Sequence, residues 1–231
     1  MCIRDRHDAA DIEVFKAMFD KGMIYRGHKP VHWCKHCHTA LAEAEIEYSD
    51  ETSPSIFVRF EMTSKPVGLE NFDGPVDFII WTTTPWTIPS DQAVSLKPGA
   101  AYVAVEHDDR AEVMLEDLAP KCCEEFGWEY TPVVVDGKPY VVPAETFHHI
   151  HYKQPIFDGV EGVALLADYV GVDDGTGIVH NSPGHGVDDY FACLKEGITD
   201  ICMPVDDDGK FYTGEEFGTC LLYTSPSPRD G

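Results

Sequence analysis

Apolar residues recur along this chain in two rhythms. Over residues 9–21 they fall at Ile12, Phe15, Met18 and Phe19, the three-and-four spacing that lines one face of a helix, with Gly22 placed to end it. Over 55–62 the rhythm becomes every second residue: Ile56, Val58 and Phe60 alternate with Phe57, Arg59 and Glu61, as in a strand. Residues 76–83, which open on an apolar run over 76–80, and 102–106 read as further strands, with a short one over 91–96 and a Lys97-Pro98-Gly99 turn between. Residues 109–126 read as a helix whose apolar contacts are Val113, Leu115, Leu118 and Phe126. Residues 133–135 and 140–142 flank Asp136-Gly137, a strong hairpin signal. Strand-like segments at 164–170 and 177–180 are separated by Asp173-Asp174-Gly175, and 187–196 reads as a short helix closed by Gly197. Many short strands with a few interspersed helices predict an α+β fold around a mostly antiparallel, barrel-like β-sheet.

Composition narrows the picture. At 231 residues and 43% hydrophobic content, the chain can bury a sizeable core as one large domain or a domain with an appendage. No apolar run approaches the roughly 20 residues that span a bilayer, and the first six residues lack the apolar core of a signal peptide, so the expectation is a cytoplasmic protein with no membrane partner. The 8 cysteines are then reduced thiols or metal ligands rather than a disulfide scaffold. A net charge of -24 argues against a broad basic grip on nucleic acid, and leaves such contact to local sites or to another domain. Residues 1–8 and the tail 219–231, which carries Ser225-Pro226-Ser227-Pro228, have no core pattern; both are expected to be non-native sequence. Between them the expected division is a connecting helix with half a zinc ribbon over 9–50 and a main domain over 51–218.

Two stretches carry the candidate chemistry. The first is Trp81-Thr82-Thr83-Thr84-Pro85-Trp86-Thr87, where an apolar strand ends in a row of hydroxyls between two tryptophans. Its prolines stop the ladder, leaving hydroxyls and backbone N–H groups free to hold a small polar ligand. The second runs from Gly175 to Tyr190 and supplies His180, His185, Asp188 and Asp189. Taken alone, the histidines read as packed side chains and the two carboxylates as helix-capping groups. No Gly-x-Ser-x-Gly elbow accompanies them, which excludes the usual serine hydrolase, and Gly175-Thr176-Gly177 precedes a strand, which excludes a dinucleotide fingerprint. Cys34-Lys35-His36-Cys37 suits half of a tetrahedral zinc shell, with no second CxxC to complete it.

Taken together these motifs resemble the editing insertion of bacterial-type isoleucyl-tRNA synthetases, a class I enzyme family. The resemblance rests on Lys29-Pro30-Val31-His32-Trp33-Cys34, Ala40-Leu41-Ala42-Glu43-Ala44-Glu45, the Trp81–Thr87 stretch, Gly175-Thr176-Gly177-Ile178-Val179-His180 and Pro183-Gly184-His185-Gly186-Val187-Asp188-Asp189-Tyr190, and covers roughly 11–218. It implies hydrolysis of valine mischarged onto the 3′ end of tRNA(Ile). The need is physical, because one methylene is worth only about 1–3 kcal/mol to a binding pocket, isoleucine and valine being the standard illustration of that limit. The family pattern puts Thr82, Thr83 and Thr84 around the aminoacyl ester and terminal adenosine, and His180 in the wall that excludes isoleucine. Asp189 would bind the α-ammonium, with Trp81, Trp86, Asp91, His185 and Asp188 as further substrate contacts and no metal at the reaction centre. Asp91 stands where the family often has Asn, and Ser182 where it often has Ala. The resemblance also accounts for Cys34 and Cys37 as half of a structural zinc site whose other pair lies further along the parent. Neither the HIGH-like nor the KMSKS-like signature of the ATP site occurs, so ATP would serve only the full-length parent, whose remaining domains are the other implied partner. The alternatives are a zinc-ribbon module that binds RNA, or an inert truncated editing domain.

Overall fold

The computed structural model describes residues 3–25, 27, 29–50 and 52–212; the expected tail over 219–231 lies outside them. Helix α1 (Ile3–Asp20) begins six residues before the apolar periodicity does. It ends as expected: Gly22, with φ of 70°, lets its N–H reach Phe19 O while the Met23 N–H reaches Met18 O. Every described side chain of α1 is exposed, Ile12 and Phe15 included.

Strands β1 (Trp33–Cys34) and β2 (Thr39–Ala40) form a small hairpin around the CxxC turn. The main body is built from two sheets. The first contains β3 (Ile56–Glu61), β4 (Val76–Thr82), β6 (Ala101–His107), β7 (Arg110–Leu115) and β10 (Val141–Pro143); β5 (Ala93–Leu96) belongs to the second. Between β7 and β10 come helix α2 (Ala119–Phe126) and the hairpin β8 (Val134–Val135) and β9 (Lys138–Pro139), turning at Asp136-Gly137. The chain then adds β11 (His151–Lys153), β12 (Glu161–Leu166), β13 (Ile178–Asn181) and helix α3 (Val187–Lys195). Strand order is β10-β6-β7-β4-β3 in one sheet and β11-β12-β5-β13 in the other. Among the described residues only β4–β7 and β12–β5 pair in parallel, and a Met62–Tyr152 bridge joins the two sheets at one edge. The α+β, mostly antiparallel architecture is therefore present. Its main core cluster includes Phe60, Phe78, Ile80, Leu96, Tyr102, Met114 and Tyr152, and a small second one joins Ala93, Leu165 and Cys193. No helix among the described residues is long and apolar enough to cross a membrane.

One expected element is wrong. Residues 110–115 form a strand, not the first half of a helix. Asp108 and Asp109 take φ of 51° and 60°, the paired left-handed turn that aspartate tolerates and that matches the twist of a tight hairpin. The chain then doubles back along β6, and β7 is buried on both faces between β6 and β4, which removed the alternation that marks a half-buried strand. The helix survives only as α2.

Inside the first sheet lies a buried ionic group. Arg110 donates through Nε and Nη2 to both carboxylate oxygens of Asp77, each at 2.6 Å, and through Nη2 to Glu61 at 3.1 Å. Arg59 donates to Glu112 Oε1 at 2.6 Å, while Glu112 Oε2 is buried without a hydrogen bond. Two-pronged guanidinium contacts of this kind fix the register of the strands that carry them.

Candidate functional site

The two stretches singled out in sequence meet. β4 delivers Thr82 to its end; Pro85, at the first position of a 3-10 turn over Pro85–Ser90, is preset for that turn. Three residues per turn place Thr84 and Thr87 on one side, with the Thr87 hydroxyl donating to Thr84 O at 2.8 Å. β13 presents His180 from the neighbouring sheet, opposite Val94 of β5. Its Nε2 lies 3.3 Å from Thr82 Oγ1 and 3.2 Å from Thr87 Oγ1. Thr82 Oγ1 also accepts the Thr84 N–H at 3.1 Å and lies 3.3 Å from Thr84 Oγ1.

These contacts assign the imidazole tautomer. The Thr87 proton is committed to Thr84 O, so the proton between Thr87 and His180 belongs on Nε2. In the neutral ring Nδ1 is then an acceptor, and it faces Asp91 Oδ1 at 3.5 Å, both atoms being buried without a hydrogen bond. That pairing favours a protonated Asp91 carboxyl. Burial pushes the pKa of Asp91 up, in the same direction, against the opposing pull of His180 and of the Tyr152 hydroxyl, which donates to Oδ2.

Asp189 lies in the first turn of α3 and turns inward. Its Oδ2 accepts the Ser182 N–H at 2.9 Å and its Oδ1 lies 3.3 Å from the Tyr169 hydroxyl, which accepts from Asn181 Nδ2 at 2.7 Å. Burial raises its pKa, opposed first by the Ser182 N–H. Ser182 ties the two stretches together, because its hydroxyl donates to Thr87 O at 2.8 Å. Gly186 is required here: a Cβ on it would lie 2.5 Å from Asp189 Oδ2. Trp86 meets His185 edge to face at 5.1 Å, and burial, with His180 adding to it, lowers the His185 pKa to about 4.

Not every expected residue joins this cluster. Thr83 is exposed and contributes its carbonyl to Ser53 Oγ at 2.6 Å. Trp81 leaves the strand on the face opposite Thr82 and lies against Gly175, where a Cβ would be 2.9 Å from its Cε3. Asp188 is exposed at the start of α3, where a carboxylate favours the helix N-terminus. Asp91 is shut away behind His180 with its carboxyl wholly buried, so it orients the imidazole and does not face an incoming ligand. Two residues were missed. Thr87 was visible in principle, since a hydroxyl three positions after Thr84 in a proline-started turn shares its face. Tyr169 carried no signal, because its contact with Asp189 depends on how α3 lies on the sheet.

Cys34 and Cys37 stand apart from this cluster. The Cys37 N–H points to Cys34 Sγ at 3.4 Å and lowers the Cys34 thiol pKa, while the Cys37 thiol is raised by its bond to Cys34. The turn docks on the 205–211 hairpin through Trp33 Nε1 to Asp207 O and His38 to Asp208, both 2.9 Å. Two thiols are half of a tetrahedral set, so among the described residues this turn does not by itself complete a structural zinc site.

A family model described as tRNA synthetases class I (I, L, M and V) matches residues 1–200, and the chain belongs to that family. It shares its fold with the crystal structure of GlLeuRS-CP1, at a TM-score of 0.54 and 16% identity over 66% of this chain and 70% of that one. In sequence it is similar to the isoleucine–tRNA ligases of Fervidobacterium pennivorans, 42% identical over 87% of this chain, and Syntrophotalea carbinolica, 40% identical over 91%. The chain spans 20% and 22% of the length of those two relatives.

Proposed function

We propose that this chain hydrolyses the ester of valine mischarged onto the 3′ end of tRNA(Ile), acting within an ATP-dependent isoleucine–tRNA ligase whose other domains dock the tRNA. The observation that carries the reading is the imidazole of His180, tied at Nε2 to Thr82 and Thr87 with Asp91 facing its Nδ1 at 3.5 Å, next to the half-buried Asp189. A side chain tied at one nitrogen and packed against a buried carboxyl at the other resists swinging aside, and a wall that does not yield is what separates substrates differing by one methylene. Asp189 pairs with the α-ammonium, which compensates a carboxylate that burial otherwise disfavours in its charged form. The hydroxyls of Thr82 and Thr84 and the backbone at the strand end hold the ester and terminal ribose. Water adds to the ester carbonyl carbon, the carbon–oxygen bond to the ribose breaks, and the departing ribose oxygen takes the proton, releasing valine. No metal enters this scheme. Zinc, where bound, would be structural, held by Cys34 and Cys37 with two donors from elsewhere in the ligase. The setting is the cytoplasm.

The test offers the chain Val-tRNA(Ile) and Ile-tRNA(Ile) and follows ester loss. Hydrolysis of the valyl ester alone is expected, and His180→Ala should extend it to the isoleucyl ester. Equal rates on both esters in the unaltered chain, or on neither, sink the selective-hydrolase reading; unchanged selectivity in the variant removes His180 from the sieve.

A further inference from the structure

Away from the threonine row, the chain carries a second cluster whose chemistry the proposed reaction does not use. His148 caps the 3-10 turn over Ala144–Phe147, His149 follows it, and Glu196 caps the far end of α3. Glu196 Oε2 lies 3.5 Å from His148 Nε2 and 3.3 Å from His149 Nε2, and the three donor atoms all fall within 4.8 Å of one another. Donors bound at 2.0–2.1 Å to one tetrahedral ion stand about 3.4 Å apart, so both imidazole–carboxylate separations already match the edge of such a shell.

An ordinary pair of histidine–glutamate contacts explains this less well. His148 Nε2 is buried and makes no hydrogen bond, although a carboxylate oxygen stands close by. The two rings are 3.9 Å apart between centroids at 88°, which brings both Nε2 atoms to the same carboxylate oxygen. A shared cation reconciles all three groups, since it takes the lone pair of each nitrogen and compensates the carboxylate. The backbone is fixed for the purpose: His149 has φ of 67°, a left-handed conformation, and its N–H is held by Ala164 O of β12 at 2.8 Å. The His149 side chain is 62% exposed, which gives an ion a way in.

We infer that His148, His149 and Glu196 form a binding site for a divalent transition-metal ion, zinc being the best match to two imidazoles and one carboxylate, with water completing the shell. The bound ion would clip the end of α3 to the turn before β11. Glu196 is seven residues beyond Asp189, about 10 Å along the helix at 1.5 Å per residue, so the site is separate from the proposed ester pocket but anchors the same helix.

The experiment titrates Zn2+ into the protein with Cys34→Ser and Cys37→Ser in place, so that the thiols cannot contribute, and repeats it with Co2+ as a spectroscopic probe. One ion per chain is expected, with visible cobalt bands and no thiolate charge-transfer band. Glu196→Gln and His149→Asn, the latter chosen because Asn accepts a left-handed backbone, should each weaken binding by at least about tenfold with an unchanged far-UV spectrum. Binding that disappears with the two cysteines, or that both variants leave intact, overturns the site.

Discussion

Glu112 makes a prediction that can be worked through in numbers. Its carboxyl is fully buried in β7 beside Asp77, and only Arg59 reaches it directly. Burial, then repulsion from Asp77, raises its pKa from 4.5 to about 7, against the opposing pull of Arg59 and Arg110. The folded state thus holds this proton more tightly than the unfolded chain does. Stability from this group is greatest below the unfolded pKa and is lost as pH rises from 4.5 through about 7, after which the loss is complete. A gap of about 2.5 pH units at about 1.4 kcal/mol each gives a loss on the order of 3 kcal/mol. Glu112→Gln keeps an acceptor for Arg59 but cannot titrate. Urea unfolding of both proteins from pH 5 to 8 should therefore show wild type losing about 2–3 kcal/mol relative to the variant, whatever other groups do, because they titrate equally in both. Asp77 and Thr82 lie five residues apart on β4, roughly 16 Å at 3.3 Å per residue, so the variant should hydrolyse ester at the wild-type rate. Parallel stability curves would show that Glu112 does not carry the proton assigned to it.

Asp189→Asn should abolish most deacylation while leaving the Ser182 N–H an acceptor, so circular dichroism and the unfolding midpoint should barely move; normal turnover would reduce Asp189 to a helix-terminus role. Thr87→Val removes the hydroxyl at His180 Nε2 while keeping side-chain shape, and should relax valine-over-isoleucine selectivity, with Thr87→Ser restoring it; a variant as selective as wild type would mean Thr82 and Asp91 suffice to hold the ring. Gly177→Ala places a Cβ 2.4 Å from Leu115 Cβ at a φ of 71°, and should cost about 2–5 kcal/mol in denaturant unfolding from left-handed strain plus overpacking. A cost below 1 kcal/mol would mean that the loop before β13 yields freely.

Much of this was readable before any coordinates. Alternation named β3, the Asp136-Gly137 pair named its hairpin, and the two unusual stretches are the ones the fold brings together. The failures share a cause, which is that a fully buried strand has no polar face. Ala111, Met114, Leu115 and Leu118 satisfy a helical spacing while Ala111, Val113 and Leu115 satisfy a strand's, and what decides between them is a slot between β6 and β4 that exists only once the sheet forms. Asp91 shows a similar limit. The resemblance to the family made it a substrate contact, and its burial behind His180 follows from β5 pairing with β13 rather than from any local pattern.

That pairing also explains why the site can be built from residues almost a hundred positions apart. The chain leaves β4 at Thr82 and re-enters as β5 at Ala93, so the Pro85–Ser90 turn must bridge from one sheet to the other. β13 lies beside β5 with Val94 opposite His180 and Ala93 opposite Asn181, which sets the imidazole under the turn and aims Ser182 at it. Ser182 then serves twice, its hydroxyl reaching back to Thr87 O and its N–H reaching forward to Asp189. The second contact is made by the backbone and would survive Ser182→Ala; the first would not. Asp189 is therefore positioned by the course of the chain, whereas the extra tie between the threonine turn and β13 depends on the Ser182 hydroxyl. It adds a hydroxyl bond worth about 1 kcal/mol to the turn that carries Thr84 and Thr87.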